Sequence, residues 1–464
     1  MSGPVVVWFR NDLRLADNPA LEAAVASGRD LVLLYVLDDE APGRWRPGGA
    51  SRWWLHHSLE RLAGSLRGLG AALVLRSGDS AEVIGDIVAA TRASGVYWNR
   101  RYDPWAVAQD SRIKAQLRER GIEARSWNGS LVHEPWEICG TDGPALVFSP
   151  FHRAWLAQAL PPLGDKRAPS QLSTVADLTG ERLADWKLLP TAPDWAGGLR
   201  EAWEPGEAGA WRSAEAFMAE RLAGYRTGRH QLGREGVSRL SPHLRFGEIA
   251  PRRLVAMAGL TTAFSRQLAW RDFAAQLLFF RPDLPELELQ PAMRGFPWRD
   301  DPAALTAWQR GRTGYPLVDA GMRQLRRSGW MHNRARMVVA SFLTRHLLID
   351  WRHGQDWFWD ELVDADLASN AMNWQWVAGS GTDTTGFGRI FNPIKQGIDL
   401  DPDGAYVRRW VRELADCPAE TIHLPPPPDL LGGAGSGYPP PLVDLQEGRA
   451  RALATYDKHM ARRA

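Results

Sequence analysis

The period at which apolar residues recur changes partway along the chain, and no other feature constrains the fold so strongly. Through the first 130 or so residues, short β-branched runs alternate with amphipathic helical stretches. This predicts strands near Val5–Phe9, Leu31–Leu37, Ala72–Leu75, Val96–Trp98 and Glu123–Trp127. Such alternation implies a doubly wound parallel sheet, hence an α/β N-terminal domain over residues 1–130. Between about Pro161 and Pro205 the periodicity fades into prolines and short charged patches, which predicts an interdomain connector crossing a surface, assigned to residues 131–205. From about Ser213 apolar residues fall three and four apart, as in Thr313–Ser328 and Asn333–Leu348, so residues 206–464 are expected to form an all-α domain. A chain of 464 residues exceeds one hydrophobic core and leaves room for a buried cofactor.

Several function classes drop out. No apolar run approaches the roughly 18 residues of a membrane span, Met1–Val7 lacks the regions of a signal peptide, and the two cysteines, Cys139 and Cys417, lie far apart. A cytoplasmic protein is the expectation. Without a CxxC pair or an HExxH helix no metal is expected, and the chemistry falls to an organic cofactor. The first strand runs into Trp8-Phe9-Arg10-Asn11-Asp12-Leu13-Arg14 and not into GxGxxG, which disfavours a nicotinamide enzyme. Gly432, Gly433, Gly435 and Gly437 sit in a Pro-rich stretch and read as linker. A net charge of +2 argues neither for nor against nucleic acid. The 23 tryptophans do stand out, although any single one is equally well explained as core packing.

Four motifs in the helical half give the tryptophans a context: Trp330-Met331-His332-Asn333-Arg334-Ala335-Arg336-Met337, Leu348-Ile349-Asp350-Trp351-Arg352, Asn373-Trp374-Gln375-Trp376 and Arg389-Ile390-Phe391-Asn392-Pro393. With the Trp8-Phe9-Arg10 stretch they resemble the DNA photolyase/cryptochrome family over nearly the whole chain, nearest to class I cyclobutane pyrimidine dimer photolyases. The resemblance implies FAD in the helical half. Tyr225, Ser238, Arg239, Leu240 and Ser241 precede a helical start, where hydroxyl and backbone donors suit a pyrophosphate and Ser238 could equally be a plain helix cap. Val237 departs from the hydroxyl residue common in the family. The resemblance also places Arg271, Asn333, Arg336, Asp364, Asp366 and Asn370 around the flavin, with an Asp364–Arg336 pair of purely structural purpose as the alternative. A neutral amide at Asn370 is the photolyase-like choice, suited to a fully reduced, anionic flavin. Trp298, Trp351 and Trp374 match the family's electron-transfer chain from flavin to surface.

By the same resemblance Trp270 and Trp376 flank a flipped lesion, Met337 lines the pocket, and Arg229, Arg389 and Gln396 contact the DNA beside it. Two departures bear on repair. Gln267 stands where cyclobutane dimer photolyases carry a glutamate able to protonate the lesion, and Gly386-Phe387-Gly388 replaces a Pro-Tyr-Phe-like stretch. The implied activity is blue-light-driven splitting of cyclobutane dimers in UV-damaged DNA by electron transfer from reduced FAD, by a monomer. The alternatives are a photolyase-like blue-light receptor with little repair and a (6-4) photolyase, whose pocket histidines Asn333 and Met337 do not match. An antenna chromophore is plausible in the N-terminal domain, its identity open. Ala106 lacks the carboxylate of folate-binding relatives, which argues mildly against folate.

Overall fold

The computed structural model describes residues 3–139, 143–164, 168–176, 178–382, 387–425 and 437–463. Three of the expected linker glycines, Gly432, Gly433 and Gly435, lie outside the described residues, as does Gly386.

Five strands, β1 (Val5–Phe9), β2 (Leu31–Leu37), β3 (Leu73–Ser77), β4 (Gly95–Asn99) and β5 (Glu123–Trp127), form one parallel sheet in the order β3-β2-β1-β4-β5. In the central strand Val7 lies opposite Leu33 of β2 and Tyr97 of β4. Side chains alternate across a strand, and both faces of β1 are buried. Val5, Val7 and Phe9 pack on one face with Leu21, Trp53, Leu59 and Leu62 from helices Pro19–Ala26 and Gly49–Gly68. Val6 and Trp8 pack on the other with Ile84, Ile87, Ile113 and Leu117 from helices Ser80–Thr91 and Pro104–Glu119. This is the doubly wound sheet expected from the periodicity.

The segment read as a surface connector is mostly exposed or half-buried and is tied to the sheet by backbone hydrogen bonds. Leu31 N–H donates to Ser173 O (2.8 Å), Val175 N–H to Leu31 O (3.1 Å) and Glu181 N–H to Leu75 O (2.9 Å), so it is stitched to the rim of the sheet, with Leu172 and Leu188 buried. Isolated bridges need no alternating run, which is why the sequence pattern faded there.

Helices also begin earlier than Ser213, at Phe148–Ala157, Gly197–Ala202 and Glu207–Ala216. The stretch expected as one helix from Thr313 starts at Pro316, because Thr313 and Gly314 donate their backbone N–H groups to Asp319 instead (2.7 and 3.1 Å). The helix from Asn333 is α-helical to Ser341 and then widens into a π-type turn over Phe342–His346. Helices Ser265–Phe280, Asn333–Ser341, Trp351–Glu361 and Leu367–Ala378 pack around the largest apolar core. Among the described residues no helix is long and apolar enough to cross a membrane.

Candidate functional site

The helix Leu367–Ala378 organises the site. Asp366 caps its start by accepting the Ser369 N–H (2.9 Å), and Gly379, at φ +70°, turns the chain at its end where a side chain would be strained. Asn370 and Trp374 are one turn apart and share a face. The Asn370 amide donates to Gln355 O (3.0 Å), which fixes its orientation. Trp374 rests on Gly354, where a Cβ would stand 2.1 Å from the indole, so this glycine makes room for the ring.

Next to this helix, two carboxylates separated by one residue each have an arginine. Arg336, on the helix capped by His332, reaches the buried Asp364 with Nη2 at 3.0 and 2.8 Å from the two oxygens, and its Nε donates to Met331 O (2.8 Å). Asp366 is pushed up by burial, but Arg271, Arg245 and the Ser369 N–H outweigh that and hold the carboxyl below its ordinary value. Arg271 in turn donates to Ser130 O, just beyond β5. Asn333 is exposed at the start of its helix.

The Ser238–Ser241 turn joins the same region through Trp330. Arg239, at φ +55°, lies 4.2 Å over the Trp203 ring and 5.5 Å from Trp330, whose indole N–H donates to Ser241 Oγ (3.3 Å). Leu240 is buried and its N–H points to Ser238 Oγ (3.4 Å). Tyr225 is buried against Phe217 and Phe264, with Arg229 over its ring at 5.6 Å. Arg239 Nε and His332 Nε2 are buried with no hydrogen-bond partner among the described residues. Buried polar atoms rarely go unmatched, so both fit a polar group held between the Ser238 turn and the Trp330 motif. Burial and the flanking Arg336, Arg334 and Arg229 push His332 down to about 4, leaving it neutral near pH 7. Arginines 239, 271 and 336 with the seryl hydroxyls suit a diphosphate and an anionic ring, and the residues present therefore fit FAD.

The three matched tryptophans grade from core to surface. Trp374 and Trp351 are buried, and Trp298 is half-buried. Arg299 N–H donates to Leu348 O (2.7 Å), which lays the Trp298 segment beside the chain that enters the Trp351 helix. Asp350 caps that helix, and Arg352, over the Trp351 ring at 4.5 Å, is neutralised by Asp350 and Glu288.

The residues matched to lesion and DNA contacts fall into two groups. Trp270 stacks on Phe148 (3.6 Å between centroids, 7° between planes), one turn from Gln267, whose amide turns back to Ala263 O (3.4 Å). Met337 lies 3.7 Å from Arg334 Nη1, Arg334 Nε donates to His230 Nδ1 (2.8 Å), and Arg389 lies 5.6 Å over Trp376. Arg334 is held below its ordinary pKa by burial and by Arg229 and Arg389, so three guanidiniums gather at this rim. Gln396 is half-buried on the helix Pro393–Leu400, and among the described residues no side-chain hydrogen bond ties it to the others. Sequence reasoning passed over Arg334, His230, Phe148 and Arg245. Arg334 stood inside a quoted motif, whereas Phe148 carried no signal because its role depends on a contact 122 positions away (148 to 270).

Comparison with known proteins places these features. The family described as DNA photolyase matches residues 5–170, and the FAD binding domain of DNA photolyase matches residues 264–458. The chain is 47% identical over 471 residues to the deoxyribodipyrimidine photo-lyase of Agrobacterium fabrum, covering 98% of each. It is 38% identical to Cryptochrome-1 of Arabidopsis thaliana, covering 97% of this chain and 69% of that one. Among solved structures it superposes with a TM-score of 0.94 and 46% identity on a bacterial class III photolyase from Agrobacterium tumefaciens, over 99% of this chain and 98% of the other. The expected kinship to class I is not supported by that likeness. An α/β sheet in front of a helical half that carries the FAD binding domain, matched end to end at this identity, shows that the chain belongs to the DNA photolyase/cryptochrome family.

Proposed function

We propose that this chain is a blue-light-driven repair lyase that splits cyclobutane pyrimidine dimers in UV-damaged DNA, acting as a monomer. The observation that carries the reading is the rim where Arg229, Arg334 and Arg389 converge on Trp376 and Met337, cations for a phosphate backbone beside an aromatic wall for an unstacked base. The names of the relatives agree with it, and in class the reading follows the class III structure. Reduced FAD, when bound, supplies the light-driven electron that opens the cyclobutane ring.

The chain's own residues position and protect that chemistry. Arg239, Ser238 and Ser241 hold the diphosphate, Arg336 with Asp364 and Arg271 with Asp366 fix the ring and ribityl region, and Asn370 presents an amide oriented by Gln355 O. Trp270 and Trp376 hold the extruded dimer, each stack contributing about 1–3 kcal/mol. Gln267 donates a hydrogen bond to the lesion but supplies no proton. Trp374, Trp351 and Trp298 return electrons from the surface to the site.

The test is loss of cyclobutane dimers from irradiated oligothymidine by the photoreduced protein, in light and in the dark, with a (6-4) substrate alongside. Loss in light alone supports the reading. Normal photoreduction with neither lesion repaired favours a blue-light receptor, the second reading, which Gln267 and the match of 97% of this chain to 69% of a cryptochrome recommend.

Two variants refine it. Gln267→Glu is expected to raise the yield of dimer splitting per absorbed photon, measured on the same substrate, because the carboxylic acid supplies the proton an amide lacks. Arg389→Ala is expected to weaken binding to damaged DNA uniformly across flanking sequences. It should also lower the slope of log affinity against log salt by about 1, the signature of one lost phosphate contact.

A further inference from the structure

At the cationic rim one arginine sets the protonation of two histidines. Arg334 donates its backbone N–H to His332 Nδ1 (3.1 Å) and its side-chain Nε–H to His230 Nδ1 (2.8 Å). A guanidinium has only donors, so His230 Nδ1 is the acceptor in that contact. The ring is therefore the neutral tautomer with its proton on Nε2. A second proton on Nδ1 would set two N–H groups against each other. Burial, Arg334 and Arg229 all hold the imidazole below its ordinary pKa, and no carboxylate is among the charged groups acting on it.

His230 is half-buried in the turn after Tyr225–Gly228, where its backbone N–H donates to Thr227 O (3.0 Å). Its Nε2 makes no hydrogen bond among the described residues and is open to solvent. That N–H is a fixed donor beside Arg229, its neighbour in the chain, and Arg334, which grips its other nitrogen, while Arg389 acts on Arg334 from a third segment. A phosphate drawn in by these cations has oxygens that accept several hydrogen bonds each.

We propose that His230 is a further DNA-binding residue of this rim, giving the Nε2–H of a neutral imidazole to a phosphate oxygen of the strand that the arginines attract. The proposal rests on the reading that this rim binds DNA. One property sets His230 apart from Arg229, Arg334 and Arg389. A guanidinium that neutralises a phosphate releases counter-ions, so its contact weakens as salt rises, whereas a neutral donor releases none and contributes equally at every salt concentration. Arg334 thus has two tasks, supplying charge at the rim and fixing the tautomer of the donor beside it.

The test measures binding of undamaged and dimer-containing oligonucleotides in the dark by the full chain carrying FAD, so that neither light nor repair enters. His230→Asn keeps an acceptor for Arg334 Nε and removes the distal donor, whereas His230→Gln places an amide N–H near the reach of Nε2. His230→Asn is expected to weaken binding to both DNAs about tenfold, with the slope of log affinity against log salt unchanged. His230→Gln should keep most of the affinity, and thermal melting confirms that both variants are folded. Nitrogen-15 spectra of the histidines near pH 7, with His230 assigned by its loss in His230→Asn, should show a protonated Nε2 and a bare Nδ1, and added DNA should shift the Nε2 proton. Unchanged affinity in His230→Asn, a salt slope lower by about 1, or an imidazolium or the opposite tautomer in the spectra overturns the proposal. Weaker binding in Arg389→Ala but not in His230→Asn removes only His230 from the rim and leaves the DNA-binding reading standing. The expected His230 results with no lesion repaired in light sink only the repair reading.

Discussion

Replacing Arg336 with leucine is expected to give a protein that is markedly less stable and purifies almost colourless. The substitution leaves the Asp364 carboxylate buried, its side chain 4% exposed, with its guanidinium partner gone. Breaking one half of a buried pair costs about 3–5 kcal/mol, because the remaining charge has neither water nor a counter-ion. Thermal melting and the ratio of flavin to protein absorbance read the two effects separately. The double variant Arg336→Leu/Asp364→Leu separates structure from cofactor binding. Removing both charges restores much of the stability, since apolar side chains replace a buried pair at little cost. If the pair holds the flavin, the refolded double variant stays colourless. Recovery of full flavin content would reduce the pair to a structural brace, the alternative the sequence left open.

The second large effect is expected at Asp272, on the helix that carries Gln267, Trp270 and Arg271. Its buried carboxylate accepts the backbone N–H groups of Val132 (3.1 Å) and His133 (3.1 Å) and the Trp155 indole N–H (2.9 Å), so it pins that helix to the segment following the sheet. Asp272→Ala leaves three buried donors unmatched, at about 1–3 kcal/mol each, offset in part by removing a buried charge. A net loss of roughly 3 kcal/mol in denaturant unfolding follows from those magnitudes. Lower flavin content should accompany it, because Arg271 moves with the helix.

The pH dependence has a definite sign. Burial is the largest influence on Asp272 and pushes its carboxyl up to about 6 against an ordinary value of 3.8, despite the three donors. The folded state then binds the proton more tightly than the unfolded chain. The stabilisation from this group is complete below about pH 4 and declines by roughly 3 kcal/mol as the pH rises through 6. The stability difference between the protein and Asp272→Ala should therefore shrink between pH 4 and 6 and stay level above. A difference that grows over that window would contradict the assignment.

The periodicity of the first 130 residues was enough for the sheet. Val5–Phe9 and Leu31–Leu37 stand as strands at the expected bounds, because a central parallel strand buried on both faces must be apolar throughout, and the edge strand Glu123–Trp127 keeps its expected bounds as well. The attachment of the connector to the sheet was not legible because it consists of one isolated bridge at Leu31 and one hydrogen bond to Leu75, which impose no repeat. Helix starts at Phe148, Gly197 and Glu207 were missed because those helices are short, at ten residues or fewer, and leave little room for a period to show.

The candidate site divides along the same line. Residues within one turn of each other, such as Asn370 and Trp374 or Asn333 and Arg336, were legible because helical geometry alone sets their common face. The sequence by itself determined the two-part architecture, the family and the motif residues, since these depend on local period and on residue types at fixed spacing. Only the tertiary structure decided which arginine answers which carboxylate, that Phe148 backs Trp270, and that Arg334 joins Arg229 and Arg389. Those contacts join segments far apart in the chain, and their geometry is fixed by how whole helices pack, which the spacing within any one helix does not encode.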